Sequence, residues 1–202
     1  MKAYRVHEYG DAAKFVEDEV NKPSAKQGHV VVEVKASSLN PIDHKLLKSD
    51  LGINPALPGI LHMDVAGVIT EVGEGVTDFK TGDEIFGCAG GLQGEAGNIE
   101  GALADFMLAD SNLIALKPKS LSFSESAALP LVTITAWEGL FDRAHITKED
   151  YVLIHGGAGG VGHIAIQLAR QHGARVATTV SSEDKAKVAR GLGAEDIIFY
   201  RD

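Results

Sequence analysis

The stretch that decides the fold is Tyr151-Val152-Leu153-Ile154-His155-Gly156-Gly157-Ala158-Gly159-Gly160-Val161-Gly162. A short apolar strand runs into a glycine-dense turn. A helix-periodic segment then extends from Val161 to His172, with Val161, Ile164, Ala165, Leu168 and Ala169 on one face. Gly157, Gly159 and Gly162 satisfy G-x-G-x-x-G in the setting that gives this pattern meaning, a strand before it and a helix after it. In this reading Gly157 allows the tight turn, Gly159 lets the backbone approach a pyrophosphate, and Gly162 lets the helix pack against the strand. Free N–H groups at the helix start, around Gly160 and Val161, would hold the phosphates with help from the helix dipole. A P-loop is excluded, because no Lys-Ser/Thr pair follows Gly162.

Downstream, Arg175 to Val180 reads as a second strand, Glu183 to Leu192 as a helix stopped by Gly193, and Ile197 to Tyr200 as a third strand. β-α-β-α-β with short connections predicts a parallel, right-handed, doubly wound sheet. An NAD site usually carries an acid at the end of the second strand, against the ribose diol. Here that strand ends Thr178-Thr179-Val180-Ser181-Ser182. Glu183 and Asp184 follow, but they also suit a helix start with Ser181 as N-cap and Asp184 at N3. Ser181, Ser182 and Lys185 suit a 2′-phosphate better than a bare diol, which favours NADP. The other reading of Lys185 is a solvated helix face.

Upstream the rhythm changes. Strands are expected at 29–36, 65–72, 83–87 and 102–109, separated by glycine turns, as in a small β barrel or sandwich. Gly90 to Gly101 holds five glycines in twelve residues, either a flexible surface loop or a lid over a pocket. Ser124 to Phe141 is helix-like with a break at Pro130. The change of rhythm divides the chain into 1–122 and 123–202. The net charge of −9 falls mostly on the first part.

The chain has 202 residues and a single cysteine, Cys88, which excludes a disulfide framework and any multi-cysteine zinc module. Cys88 reads as a small apolar filler without a base partner. No apolar run is long enough to span a membrane, and the charged N-terminal stretch is unlike a signal peptide, so a cytoplasmic location is expected. The acidic balance argues against nucleic acid as a partner.

Four motifs together carry a family resemblance: Ser38-Leu39-Asn40-Pro41-Ile42-Asp43, Asp64-Val65-Ala66-Gly67-Val68-Ile69, Gly82-Asp83-Glu84-Ile85-Phe86, and the glycine turn. The chain resembles the medium-chain dehydrogenase/reductase superfamily, and most closely its quinone oxidoreductase (zeta-crystallin-like) branch. The resemblance implies α/β plus β architecture: a GroES-like β-rich catalytic domain followed by the first half of a Rossmann sheet. It implies NADPH-dependent hydride transfer to a quinone or α,β-unsaturated carbonyl. It implies that Asn40 and Asp43 line the cleft near the nicotinamide, that Thr135 contacts the nicotinamide ribose region, and that Tyr200 contacts the adenosine phosphate. Plain structural roles stand beside these: Asn40 as a turn residue before Pro41, Asp43 as an N-cap, Thr135 as a buried helix hydroxyl, Tyr200 as strand packing.

The alcohol dehydrogenase branch has Cys where this sequence has Asn40, and Gly-His-Glu where it reads His62-Met63-Asp64. Met63 thus stands in place of a zinc-ligand histidine, and no metal is expected. An improvised site from Asp43, His44, His62 and Asp64 is the less favoured reading, and a zinc alcohol dehydrogenase the second functional one. A non-catalytic nucleotide-binding or structural protein is the third. Only three of six Rossmann strands are found, so the chain is expected to be an incomplete form with the strand at Tyr151 on an open edge. The family is usually homodimeric through the half that is not found here.

Overall fold

The computed structural model describes residues 1–94 and 97–201, which divide into two compact units, Met1–Leu131 and Val132–Asp202. In chain order the first unit holds β1 (Lys2–Val6), β2 (Phe15–Glu19), β3 (His29–Ser37), α1 (Pro41–Lys48), β4 (Gly59–Ile60), β5 (Asp64–Val72), β6 (Glu84–Cys88), β7 (Leu92–Gly94), β8 (Gly97–Ile99), β9 (Phe106–Asp110), β10 (Ile114–Leu116) and α2 (Phe123–Ala127). The main sheet runs β10-β6-β5-β3-β9 and is antiparallel throughout; β2-β1-β4 form a second antiparallel sheet. β-branched side chains on alternating positions explain why these segments are strands. Val30, Val32, Val65, Ile69 and Ile85 are buried in one cluster with Met107. Leu46 of α1 is buried against Val6 and Leu61, which fixes the helix on the smaller sheet.

Three expectations change here. The fourth strand begins at Phe106 rather than Ala102. The amides of Ala102 and Leu103 turn instead to the carbonyls of His62 and Leu61. The glycine-rich stretch is no loose loop where it is described: β7 and β8 pair as a hairpin, and the Gln93 amide bonds the Ile53 carbonyl. Residues 95 and 96 of that stretch lie outside the described residues. The boundary between units falls after Leu131, later than the break in rhythm at 122, because α2 packs against β3, β5 and β6.

α3 (Pro130–Trp137) opens where the sequence anticipates the break, with Pro130 at its first position, and continues as a π-helical turn over Glu138–Arg143. The second unit then alternates β11 (Tyr151–Ile154), α4 (Gly160–His172), β12 (Arg175–Val180), α5 (Glu183–Gly191) and β13 (Asp196–Phe199). The three strands are parallel in the order β11-β12-β13. Small buried residues, Ala165, Ala169, Ala186 and Ala189, let both helices approach the sheet closely around Ile166 and Val176. Among the described residues β11 stands at the end of this strand order, with β12 as its partner. Among the described residues no helix is long and apolar enough to cross a membrane.

Candidate active site

The first unit buries a polar cluster around Asp64, which is fully inaccessible at the start of β5. A carboxylate so placed must collect donors or lose its charge. Its Oδ2 accepts from Ser38 Oγ at 2.7 Å and from Asn40 Nδ2 at 2.9 Å; its Oδ1 accepts from the Leu131 backbone N–H at 2.9 Å. Cys88, directly opposite on β6, adds its thiol. Burial raises the Asp64 carboxyl above its ordinary range, and these donors pull it back. The same neighbourhood pushes the Cys88 thiol up to about 12, first through burial and then through the Asp64 charge. Cys88 is therefore a hydrogen-bonded, inert thiol rather than an apolar filler.

α1 presents the next two groups. Asn40 is its N-cap and Pro41 its first residue, where a missing N–H costs nothing. Asp43 is at N3, not at the N-cap, and its Oδ2 accepts from the Asn40 backbone N–H at 2.7 Å. Only 1% of Asp43 is exposed, and its Oδ1 meets no donor in hydrogen-bonding geometry among the described residues. Burial raises its carboxyl, opposed by the Asn40 N–H and by the nearby His62. Asn54 clamps the far end of α1 by donating to the carbonyls of Leu46 and Ser49. Asn40 and Asp43 are thus joined by a hydrogen bond at the start of α1. Ser38, Asp64 and Cys88 complete their surroundings. Ser38 was readable from the same short motif as Asn40, but nothing in the sequence links Leu131 to Asp64.

His62 is half-buried and adopts φ 73°, a left-handed conformation that suits glycine. Its Nδ1 lies 3.1 Å from Ser37 Oγ, which itself donates to the Asp64 carbonyl at 2.9 Å. His44 is exposed on α1. Among the described residues no three of His, Cys, Asp or Glu converge as a metal-binding group.

In the second unit the glycine turn has the expected place but a shifted division of labour. The tight turn is made by Gly156, with φ +67°, not by Gly157. Gly157 is required by packing: a Cβ there would lie 2.2 Å from Thr178 Oγ1. A Cβ on Gly162 would lie 2.2 Å from the Gly156 carbonyl oxygen, which is the close helix approach anticipated. Thr178 Oγ1 donates to the Ile154 carbonyl, and Thr179 Oγ1 accepts the Gly156 N–H, so β12 holds the turn rigid. Gly159 is the N-cap of α4. The amides of Gly160, Val161 and Gly162 have no hydrogen-bond acceptor among the described residues, as the first turn of a helix dictates. A phosphate fits this arrangement of open amides and absent side chains.

Beyond β12, Ser182 rather than Ser181 caps α5, accepting the Lys185 amide. Arg190 pairs with Glu183 and Lys187 with Asp184, while Lys185 has no ion-pair partner among the described residues. Ser181 is partly buried, and Tyr200, just after β13, is 58% exposed. Thr135 is an exposed residue of α3, not a buried helix hydroxyl.

Residues 26–119 match the family described as alcohol dehydrogenase GroES-like domain, and residues 160–202 match zinc-binding dehydrogenase. The fold agrees with that of an alcohol dehydrogenase superfamily protein from Novosphingobium aromaticivorans, with TM-score 0.91 and 40% identity over 100% of this chain and 59% of that one. The chain belongs to the medium-chain dehydrogenase/reductase superfamily. Its first unit is the GroES-like domain of that superfamily, and its second carries a partial Rossmann sheet. Among superfamily members, the 2-methylene-furan-3-one reductase of Solanum lycopersicum is 39% identical over 99% of this chain and 52% of its own length. The quinone oxidoreductase of Rattus norvegicus is 34% identical over 100% of this chain and 59% of its own length. An Escherichia coli quinone oxidoreductase complexed with NADPH superposes with TM-score 0.84 at 30% identity, over 100% of this chain and 59% of that one. The chain spans little more than half the length of the curated relatives it matches.

Proposed function

We propose that this chain supplies the GroES-like catalytic domain and the adenosine-side nucleotide site of an NADPH-dependent, zinc-independent reductase. Its substrate class is quinones or α,β-unsaturated carbonyls. The observation that carries the reading is the open amide cradle of Gly160, Val161 and Gly162, with an uncommitted Lys185 on the neighbouring helix. Both acids that could bond a ribose diol, Glu183 and Asp184, are already paired to Arg190 and Lys187. That favours a 2′-phosphate over a bare diol. The names of the relatives, a furanone reductase and quinone oxidoreductases, support the substrate class.

Bound NADPH would supply the hydride. Ser181, Ser182, Lys185 and Tyr200 then orient its adenosine end, and Thr135 its other half. Asn40 and Asp43 line the substrate side. Asn40 donates to Asp64 at 2.9 Å and to Ser38 at 3.1 Å, so its carboxamide is held in one orientation beside the substrate side. Hydride addition to a conjugated carbonyl yields a delocalised enolate, which takes its proton from water, so a Lewis acid is not required. The donor set agrees: Asn40 and the thioether of buried Met63 stand where a zinc enzyme needs a thiolate and an imidazole.

The test is a titration with NADPH and NADH, joined to an NADPH-oxidation assay over a panel of quinones and enones, with metal analysis of the protein used. Preferential NADPH binding, turnover of conjugated carbonyls and no stoichiometric zinc are expected. Stronger NADH binding overturns the cofactor assignment, and stoichiometric zinc with alcohol turnover supports an alcohol dehydrogenase. NADPH binding without any turnover makes the chain a nucleotide-binding protein.

A further inference from the structure

His62 occupies a backbone slot made for glycine, and the superfamily triplet to which His62-Met63-Asp64 corresponds begins with glycine. A non-glycine residue at φ 73° carries a conformational cost of about 1 kcal/mol. Strain of this kind survives where the side chain does something. The imidazole is anchored on one side by Ser37 Oγ and stands edge-on to the Phe15 ring, with centroids 6.1 Å apart. It also lines a cavity of 390 Å³.

Two groups of charges face it. The buried ones are Asp43 from α1 and Asp64 from β5, with the protonated Cys88 thiol of β6 behind them. Across the cavity stand Lys2 and Tyr4 of β1, Glu17 of β2, Lys35 of β3, and Asp105. Lys2 and Tyr4 are engaged with Glu17, and Lys35 with Glu33. On the buried side Asp43 and Asp64 have no ion-pair partner among the described residues, and across the cavity Asp105 is held by the Lys2 backbone N–H. Asp43 Oδ1 meets no donor in hydrogen-bonding geometry among the described residues, and the His62 backbone N–H acts on the same carboxylate.

We propose that His62 is a positioning residue for the Asn40 site: its ring takes up the cluster's proton from the cavity side, and its charge keeps Asp43 and Asp64 ionised as pH falls, so that Asp64 continues to hold Asn40. The proposal rests on the reading of Asn40 as a substrate-side group. Ser37 donates to the Asp64 carbonyl, so its oxygen receives the Nδ1–H of His62. Nε2 is then the basic position. Burial lowers the imidazole from its ordinary value and the two carboxylates raise it, while burial raises Asp43 and Asp64. Imidazole and carboxyls thereby compete for one incoming proton. On His62 it leaves all the Asp64 acceptor positions in use. On Asp64 it turns one oxygen into a donor and displaces Ser38 or Asn40.

The test follows the Asn40 side-chain amide by 15N–1H NMR through an acid titration of the cofactor-free 202-residue chain. The resonance is assigned by its loss in Asn40→Asp. Wild type is compared with His62→Gln, which keeps a donor to Ser37, and with His62→Gly, which also relieves the backbone. Both variants should move the acid midpoint of the Asn40 resonance upward by about one pH unit. Only His62→Gly should raise Tm at alkaline pH. A midpoint unmoved in both variants overturns the proposal, even if Tm changes, because a merely structural histidine would alter stability alone. If turnover is found, the acid limb of kcat/KM should move with the NMR midpoint, and a limb that stays in place overturns the proposal. If the NMR midpoint moves but no quinone or enone is turned over, the proposal stands and the reductase reading fails.

Discussion

At the scale of single residues, Asp64 and Asp43 are both buried acids with opposite expected consequences. Asp64 serves donors from four residues, so Asp64→Asn turns an amide NH2 toward groups that themselves donate. We expect a loss of about 2–4 kcal/mol, read by urea denaturation. Asp43 carries an oxygen with no donor in hydrogen-bonding geometry among the described residues, at 1% exposure, and Asp43→Asn keeps an acceptor for the Asn40 N–H. It should be neutral or stabilising by about 1 kcal/mol at alkaline pH. The folded-state carboxyl is raised, so its penalty is fully present above that raised value and is relieved as pH falls through it. The advantage of Asp43→Asn should therefore shrink toward about pH 4. An advantage that grows on acidification would contradict this assignment. Gly157 gives a second residue-scale contrast. Gly157→Ala places a Cβ 2.2 Å from Thr178 Oγ1 and should cost about 1–3 kcal/mol, while Gly160→Ala meets only Val132 Cγ1 at 3.6 Å and should leave Tm nearly unchanged.

At the scale of elements, the junction of β12 and α5 separates a capping serine from a neighbouring one. Ser182→Ala should lower stability by about 1 kcal/mol, and Ser181→Ala by less, in parallel thermal melts. Lys185→Ala should leave the helix intact while weakening NADPH binding about tenfold and NADH binding little, measured by fluorescence titration. Two adjacent serines satisfy the same capping pattern, so the sequence places the cap at Ser181 and the structure at Ser182. Only backbone dihedrals distinguish them: Ser182 is extended, at φ −160° and ψ 160°, before the first helical residue. The turn shows the same limit. Gly156 and Gly157 are adjacent and chemically identical, and which one carries the positive φ is decided by where Thr178 and Thr179 fasten the strand end.

At the scale of the whole molecule, β11 is a sheet edge with one partner strand among the described residues, and it exposes Tyr151 and Leu153. Unpaired N–H and C=O groups beside exposed apolar side chains favour association between copies. We expect concentration-dependent self-association in sedimentation experiments, reduced by Leu153→Lys. A chain that stays monomeric over the whole concentration range, with the variant indistinguishable from it, would contradict this.

The sequence by itself determined the two-part organisation, the parallel order of three strands and the glycine turn. Each of these is written locally, in the period of apolar residues and in glycines at fixed spacing. It also marked Asn40 and Asp43, which stand three apart at the start of one helix. The tertiary structure alone decided what surrounds them. Asp64 meets Leu131 across 67 positions of chain and Cys88 across a strand pair, and no local pattern records such meetings. It also decided that His62 would be held in a left-handed conformation, against the buried acids and open to a cavity. Local periodicity fixes which face of an element is apolar. Burial, and with it the charge state of a carboxylate, depends on what the rest of the chain brings to that face.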